Sequence, residues 1–165
     1  MVLKFKDINY SDWSKSWKSS KQPRKQRKYL LNAPLHIRRK IMCSTLSEKI
    51  RKIVGIKSFP IRVGDYVKIL RGKFRDLEGF VIKIDAKRYR VFIDKAKYLN
   101  KAGKEVYYPI HHSKIEILKL NLLDKKRIEI LNRKVRDSKI VEEVVKNFSV
   151  SEEDIKKAKE LGKNI

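Results

Sequence analysis

A mainly β fold is predicted for this sequence: a small five-stranded rolled barrel, preceded by a basic arm with one short helix and followed by a helical tail. Three observations predict it. Apolar and polar residues alternate with a two-residue period in short runs between Ile61 and Leu118, separated by glycine-bearing turns. No acidic residue occurs from Lys15 to Lys40. Beyond Leu123 the apolar spacing changes to the helical one, with Ile128, Leu131 and Val135 and then Val141, Val144, Val145 and Phe148 on repeating faces. At 165 residues the chain suits one compact domain with extensions, or two very small ones.

Residues 1–20 are polar and irregular, with Trp13 and Trp17 spaced to share a helical face and expected to act as packing anchors. The arm follows, carrying Lys21, Arg24, Lys25, Arg27 and Lys28, then His36, Arg38, Arg39 and Lys40. Charges of one sign repel, so this arm is expected to stay extended until a polyanion neutralises it. Pro34 biases Ala33 away from the helical region, which predicts an extended elbow. Thr45 and Glu48 form a T-x-x-E capping box for a helix with Leu46, Ile50 and Val54 on one face, ended by Gly55.

The barrel strands come next. Gly64-Asp65 reads as a turn into a strand with Val67 and Ile69, and a second strand holds Phe80, Ile82 and Ile84. Gly72 and Gly79 bracket the connection, where positive φ and close backbone approach are expected. Tyr89, Val91 and Ile93 give a third strand, EVYYPI a fourth after a turn over residues 101–104, and Ile115 and Ile117 a fifth. Rolling into a barrel would hide the edges of such short strands. In the tail, Ser151 with Asp154 reads as a helix start and Gly162 as its end. The apolar residues over 139–161 are too few for a core of their own, so Val145 and Phe148 are expected to bury against a neighbouring protein or the chain's own barrel.

The formal charge, 43 − 19 = +24, far exceeds what solubility requires and points to a polyanionic partner. The charge is uneven: residues 121–165 hold twelve basic and nine acidic residues. No run approaches the roughly 18 apolar residues of a spanning helix, and the first residues lack the apolar core of a signal peptide, so no membrane partner is expected. The single cysteine, Cys43, permits no intrachain disulfide and no cysteine cluster for zinc, and reads as a small hydrophobe in a reducing compartment.

The pattern GD-x-V-x-I-x-x-G, six residues and then G-x-V, over residues 64–81 resembles the KOW motif. RKYLLNAPLHIRRKIMCSTLSEKIRKIVGIKSFPIRVGD and PIHHSKIEILKL extend this to the archaeal and eukaryotic type of KOW-containing large-subunit ribosomal protein, universal family twenty-four, over residues 21–136. Asp76 stands where that pattern usually has glycine, and His112 where it usually has proline. A similar but more strained turn is expected at Asp76, and its acidic side chain argues against a phosphate at the tip.

The resemblance implies an SH3-like barrel and a structural role in the large ribosomal subunit, near the exit of the nascent-peptide tunnel and supporting assembly and translation in the cytoplasm. Expected partners are large-subunit ribosomal RNA and neighbouring ribosomal proteins, with no small-molecule substrate. On the barrel, Arg62, Lys68, Arg71, Lys73 and Arg75, with Lys87, Arg88 and Arg90, are the expected RNA contacts. The alternative is a KOW-bearing transcription elongation or RNA-processing adaptor. The expected organisation is an extension over 1–20, arm and short helix over 21–58, barrel over 59–120 and helical extension over 121–165.

No chemistry is expected. His111 and His112, in an extended segment, should face opposite ways and cannot easily share a metal. Asp76 and Glu78 read as ion-pairing or turn residues among lysines, and GKFRDLEG lacks the lysine and hydroxyl pair of a phosphate-binding loop. No metal, cofactor or catalytic residue is therefore expected.

Overall fold

The computed structural model describes residues 13–135 and 137–163; the irregular start read over residues 1–12 lies outside them. The chain divides after Ile41 into two compact units.

In the first unit a 3-10 turn over Lys15–Ser19 precedes helix α1, Pro23–Asn32, and helix α2, Leu35–Ile41. The arm is thus helical, where an extended chain is expected. Pro23 sits in the first turn of α1, where its fixed φ suits a helix and its missing N–H costs nothing. The Arg, Lys, Gln and Leu residues that follow are strong helix formers. Each like-charged pair one turn apart opposes this by only about 0.2–0.5 kcal/mol. Ala33 keeps the expected extended conformation before Pro34, at φ −57° and ψ 134°, and the chain then resumes as helix. Both tryptophans serve as packing anchors on α1. Trp13 donates from Nε1 to the Tyr29 carbonyl at 3.1 Å, and Lys28 lies 4.7 Å above the Trp17 ring.

The second unit is a mixed sheet with helices. Its strands are β1 Cys43–Leu46, β2 Ser58–Pro60, β3 Tyr66–Ile69, β4 Glu78–Asp85, β5 Arg90–Ile93, β6 Lys97–Leu99, β7 Glu105–Tyr107, β8 Ile110–His111 and β9 Ile115–Lys119. Seven of them form one sheet in the order β2-β1-β9-β3-β4-β5-β8, and β6 with β7 make a separate hairpin. Among the described strands only β1 and β9 pair in parallel. Among the described residues no pairing returns β8 to β2. The sheet is open, and the closed five-stranded barrel is not formed by these pairings.

Two features the alternation does not carry account for the difference. The chain before Ile61 supplies two extra strands, and helices cover apolar surface that closure would otherwise have to hide. Helix α3, Glu48–Val54, buries Ile50 and Val54. Its cap is Ser47, whose hydroxyl accepts from the Ile50 N–H, and not Thr45, which β1 takes for pairing. Gly55 ends the helix at φ +69°, as expected.

Helices α4 Lys125–Val135, α5 Ser138–Phe148 and α6 Glu152–Lys163 form the tail. Its apolar residues join the chain's own core: Leu131, Val144 and Ile155 are fully buried, and Val145 and Phe148 half-buried on the same cluster. Between α5 and α6, Leu120 donates to the Phe148 carbonyl at 2.8 Å and Val150 to the Leu120 carbonyl at 3.1 Å, tying the tail to the end of β9. Ser151 caps α6 as expected, accepting from the Asp154 N–H while donating to its carboxylate at 2.6 Å. Gly162 does not end α6. It lies one residue inside the last described residue of α6, and glycine is needed there because a Cβ would stand 2.2 Å from the Ile82 carbonyl oxygen of β4. That close approach also explains why Val81 and Ile82, adjacent in β4, are both buried.

The β3–β4 connection behaves as its glycines and Asp76 predict. Gly72 has φ +104° and Asp76 φ +62°. Gly79 supplies the close approach, since a Cβ there would meet Asp94 Oδ1 at 2.1 Å. Tyr89, expected in the third strand, instead takes φ +56° and finishes the turn before β5.

Candidate nucleic-acid interface

Helix α1 buries none of its residues, so Arg24, Lys25, Arg27 and Lys28 all project into solvent. Arg24, Arg27 and Lys28 fall one turn apart on one stripe, with Lys21 exposed just ahead of the helix. No acidic residue occupies the first turn of α1, so cations crowd an end where the peptide dipoles already favour negative charge. A line of phosphates would relieve both repulsions.

On α2, His36, Arg39 and Lys40 are exposed, whereas Arg38 is only 3% exposed. The Arg38 guanidinium donates from Nε to the Ala33 carbonyl at 2.6 Å and from Nη2 to the Leu31 carbonyl at 2.5 Å. It therefore satisfies carbonyls left open at the end of α1. Sequence spacing cannot separate it from Arg39, because only the bend at Ala33 turns Arg38 inward.

The sequence-predicted cations of the second unit fall into two groups. In the first, carboxylates neutralise them. Lys68 and Arg75 both pair with Asp76, at 3.2 and 3.3 Å, and Arg62 pairs closely with Asp124. The Arg62 hydrogen bond, aided by the Lys126 N–H, holds the Asp124 carboxyl below its ordinary pKa. Arg88 lies 4.0 Å from Asp85, whose Oδ1 also accepts the Lys87 and Arg88 N–H groups; both side chains are exposed on that turn. Glu78 accepts from the Tyr66 hydroxyl at 3.2 Å. Asp76 therefore behaves as the expected ion-pair and turn residue, whereas Glu78 opens β4 and hydrogen-bonds a tyrosine in place of a lysine.

The second group, Arg71, Lys73 and Arg90, surrounds a cleft of about 360 Å³. Lys114 joins them, and no carboxylate lines this cleft. Its walls carry aromatic rings as well: Tyr108 lies 5.3 Å from Phe74 and 5.9 Å from Tyr98, centroid to centroid, with Tyr98 edge-on. The segment between β7 and β8 crosses the β3–β4 turn here and brings together residues more than 30 positions apart. Lys114, Phe74, Tyr98 and Tyr108 were not singled out from sequence. Nothing in their spacing marks them, because Phe74 and Lys114 sit in turns, Tyr108 follows a strand of three residues, and Tyr98 lies within another strand of three.

His111 also lines the cleft. Its ring stacks on His112 at 4.3 Å, so the two histidines do not diverge. β8 ends at His111, and a 3-10 turn over His112–Lys114 breaks the alternation that would separate them. Burial, then the electrostatic influence of His112, Arg90 and Lys114, lowers the His111 pKa. Its Nδ1 accepts the Ser113 N–H, as a neutral ring can. His112 contacts the Cys43 carbonyl through its own Nδ1 at 2.8 Å. Burial raises the Cys43 pKa, which keeps this thiol protonated and unreactive. Among the described residues no His, Cys, Asp and Glu group could hold a metal ion, and no helix is long and apolar enough to cross a membrane.

Comparison with known proteins gives concordant matches. Residues 20–134 match the family described as eukaryotic ribosomal proteins L26 and their archaeal L24 counterparts. The chain is 52% identical over 141 residues to the large ribosomal subunit protein uL24 of Nanoarchaeum equitans (strain Kin4-M), covering 86% of this chain and 94% of that one. It is 50% identical over 125 residues to the protein of the same name from Korarchaeum cryptofilum (strain OPF8), covering 75% and 95%.

Proposed function

Because this chain belongs to the family of eukaryotic ribosomal proteins L26 and archaeal L24, we propose that it is a structural constituent of the large ribosomal subunit that binds ribosomal RNA and supports subunit assembly. The observation that carries the RNA contact is α1, a helix with no buried residue and four exposed cations, in a stretch that holds no acid from Lys15 to Lys40. Phosphates approaching that helix displace counterions and relieve its self-repulsion, so binding is driven by charge and shape more than by base identity.

Arg39 and Lys40 extend the basic surface of the first unit, and His36 adds a polar contact beside them. On the second unit Arg71, Lys73 and Arg90 contribute most, because Lys68, Arg75 and Arg62 already face carboxylates. Arg38 contributes by holding the end of α1 in shape. The reading includes no catalytic step. A position near the exit of the peptide tunnel is the placement that family resemblance favours.

Sedimentation tests the reading. The tagged protein should remain in large subunits at one copy each after a moderate-salt wash. Substoichiometric presence, or co-migration with RNA polymerase, would favour the adaptor alternative instead.

A further inference from the structure

The cleft between the β3–β4 turn and the segment joining β7 to β8 combines two features that α1 lacks: aromatic faces and a concave shape. We propose that it receives a single unpaired nucleotide of RNA, with the base against Tyr108 and Phe74 and the flanking phosphates on Arg71, Lys73, Arg90 and Lys114. This assignment rests on the RNA-binding reading above and narrows it to one strand type at one site.

The charge pattern selects the ligand. These four cations make no ion pair among the described residues, whereas Lys68 on β3 and Arg75 on the β3–β4 turn both do, and Arg62 before β3 does as well. With no carboxylate among the lining residues, the cleft favours an anion over a peptide of mixed charge. Size selects further. A cleft of about 360 Å³ lies near the lower end of the ~300–1,000 Å³ typical of small-ligand sites. It can admit a nucleotide but not a duplex.

The rings supply the last constraint. Tyr108 is 43% exposed and Tyr98 39%, so both rings of the cleft offer aromatic surface to solvent. Paired RNA hides its base faces within the helix, while loops and bulges present them for stacking on aromatic side chains. Backbone bonds fix the site. Tyr108 donates its N–H to the Ala96 carbonyl at 2.8 Å, and Leu70 donates to the Lys114 carbonyl at 2.8 Å. The cleft is thereby held open by the strands on either side.

The test titrates the full chain with a short fluorescent oligouridylate and, separately, with a blunt RNA duplex of equal strand length. Tyr108→Ala should weaken oligouridylate binding about tenfold, the scale of one lost base stack, and leave duplex binding unchanged. Tyr108→Phe, which keeps the ring, should bind both as the native chain does. Unchanged oligouridylate binding by Tyr108→Ala would overturn the assignment.

If Tyr108→Ala loses both RNAs, Tyr98→Ala decides, because its half-exposed ring supports little of the fold. A selective loss there upholds the cleft, and none overturns it. Preference of the native chain for a proline-rich peptide over oligouridylate would also overturn it. A native chain that binds neither RNA would instead sink the underlying RNA-binding reading, a result distinct from duplex binding alone.

Discussion

Arg127 closes a two-pronged ion pair on Asp65, with Nη1 2.6 Å from Oδ1 and Nη2 2.8 Å from Oδ2, across 62 residues of sequence. Both side chains are essentially inaccessible to water. The guanidinium also donates to the carbonyls of Asn121 and Pro60, while the carboxylate accepts the N–H groups of Arg62 and Asn121. This network joins the turn before β3 to the first helix of the tail. Removing one member leaves the other charged and buried, so Arg127→Met should destabilise the fold by about 3–5 kcal/mol. Urea denaturation measures it, and a loss below about 1 kcal/mol would contradict a structural role for the pair.

Asp76 holds φ +62° and neutralises Lys68 and Arg75. Asp76→Gly should relieve the backbone strain at the cost of two exposed ion pairs, each worth about 0–1 kcal/mol, leaving stability within about 1 kcal/mol of native. It also frees two cations, so RNA affinity should rise at low salt. Weaker RNA binding by Asp76→Gly would show that the carboxylate serves the interface.

Gly162 allows α6 to touch β4. Alanine is the better helix former, by about 1 kcal/mol, yet its Cβ would stand 2.2 Å from the Ile82 carbonyl oxygen. Gly162→Ala should therefore destabilise the docked helix and raise amide exchange over α6. Unchanged or slower exchange would mean that the helix end does not depend on this contact.

The low pKa of His111 sets a pH dependence. The unfolded chain takes up its proton near the ordinary value of 6.5, whereas the folded chain does so only at lower pH. Between these two points the unfolded state binds more protons, so stability falls as pH drops through that window. His111→Gln should flatten this part of the profile, read from urea midpoints above and below about pH 6.5. Identical profiles for the two proteins would remove His111 as its source.

What was legible in the sequence follows from how local each signal is. The alternation around Val67, Ile82 and Val91, the strained turn at Asp76 and the cap at Ser151 are set by neighbouring residues and stand where they were expected, although the third strand lacks Tyr89 and the expected fourth, EVYYPI, is broken into β7 and β8, which pair with different strands. The extra strands β1 and β2 are three or four residues long, too short for a period to register. Gly162 reads as a helix end because a glycine reserved for close packing looks the same in sequence. At the interface, the cations were visible by type. Whether each faces solvent depends on distant partners: Asp76 and Asp124 claim three, and the Leu31 and Ala33 carbonyls claim Arg38. Lys114 and Tyr108 reach the cleft only through the crossing of two loops.

The salt dependence of binding to large-subunit ribosomal RNA tests the central claim most directly. If α1 is the main electrostatic contact, the log-log slope should reflect roughly 0.7–0.9 per phosphate neutralised. Replacing Arg24, Arg27 and Lys28 together by alanine should then flatten it by about two to three units. None of the three is buried, so the fold should survive the change. A variant that keeps the full native slope would contradict the assignment of RNA binding to this helix.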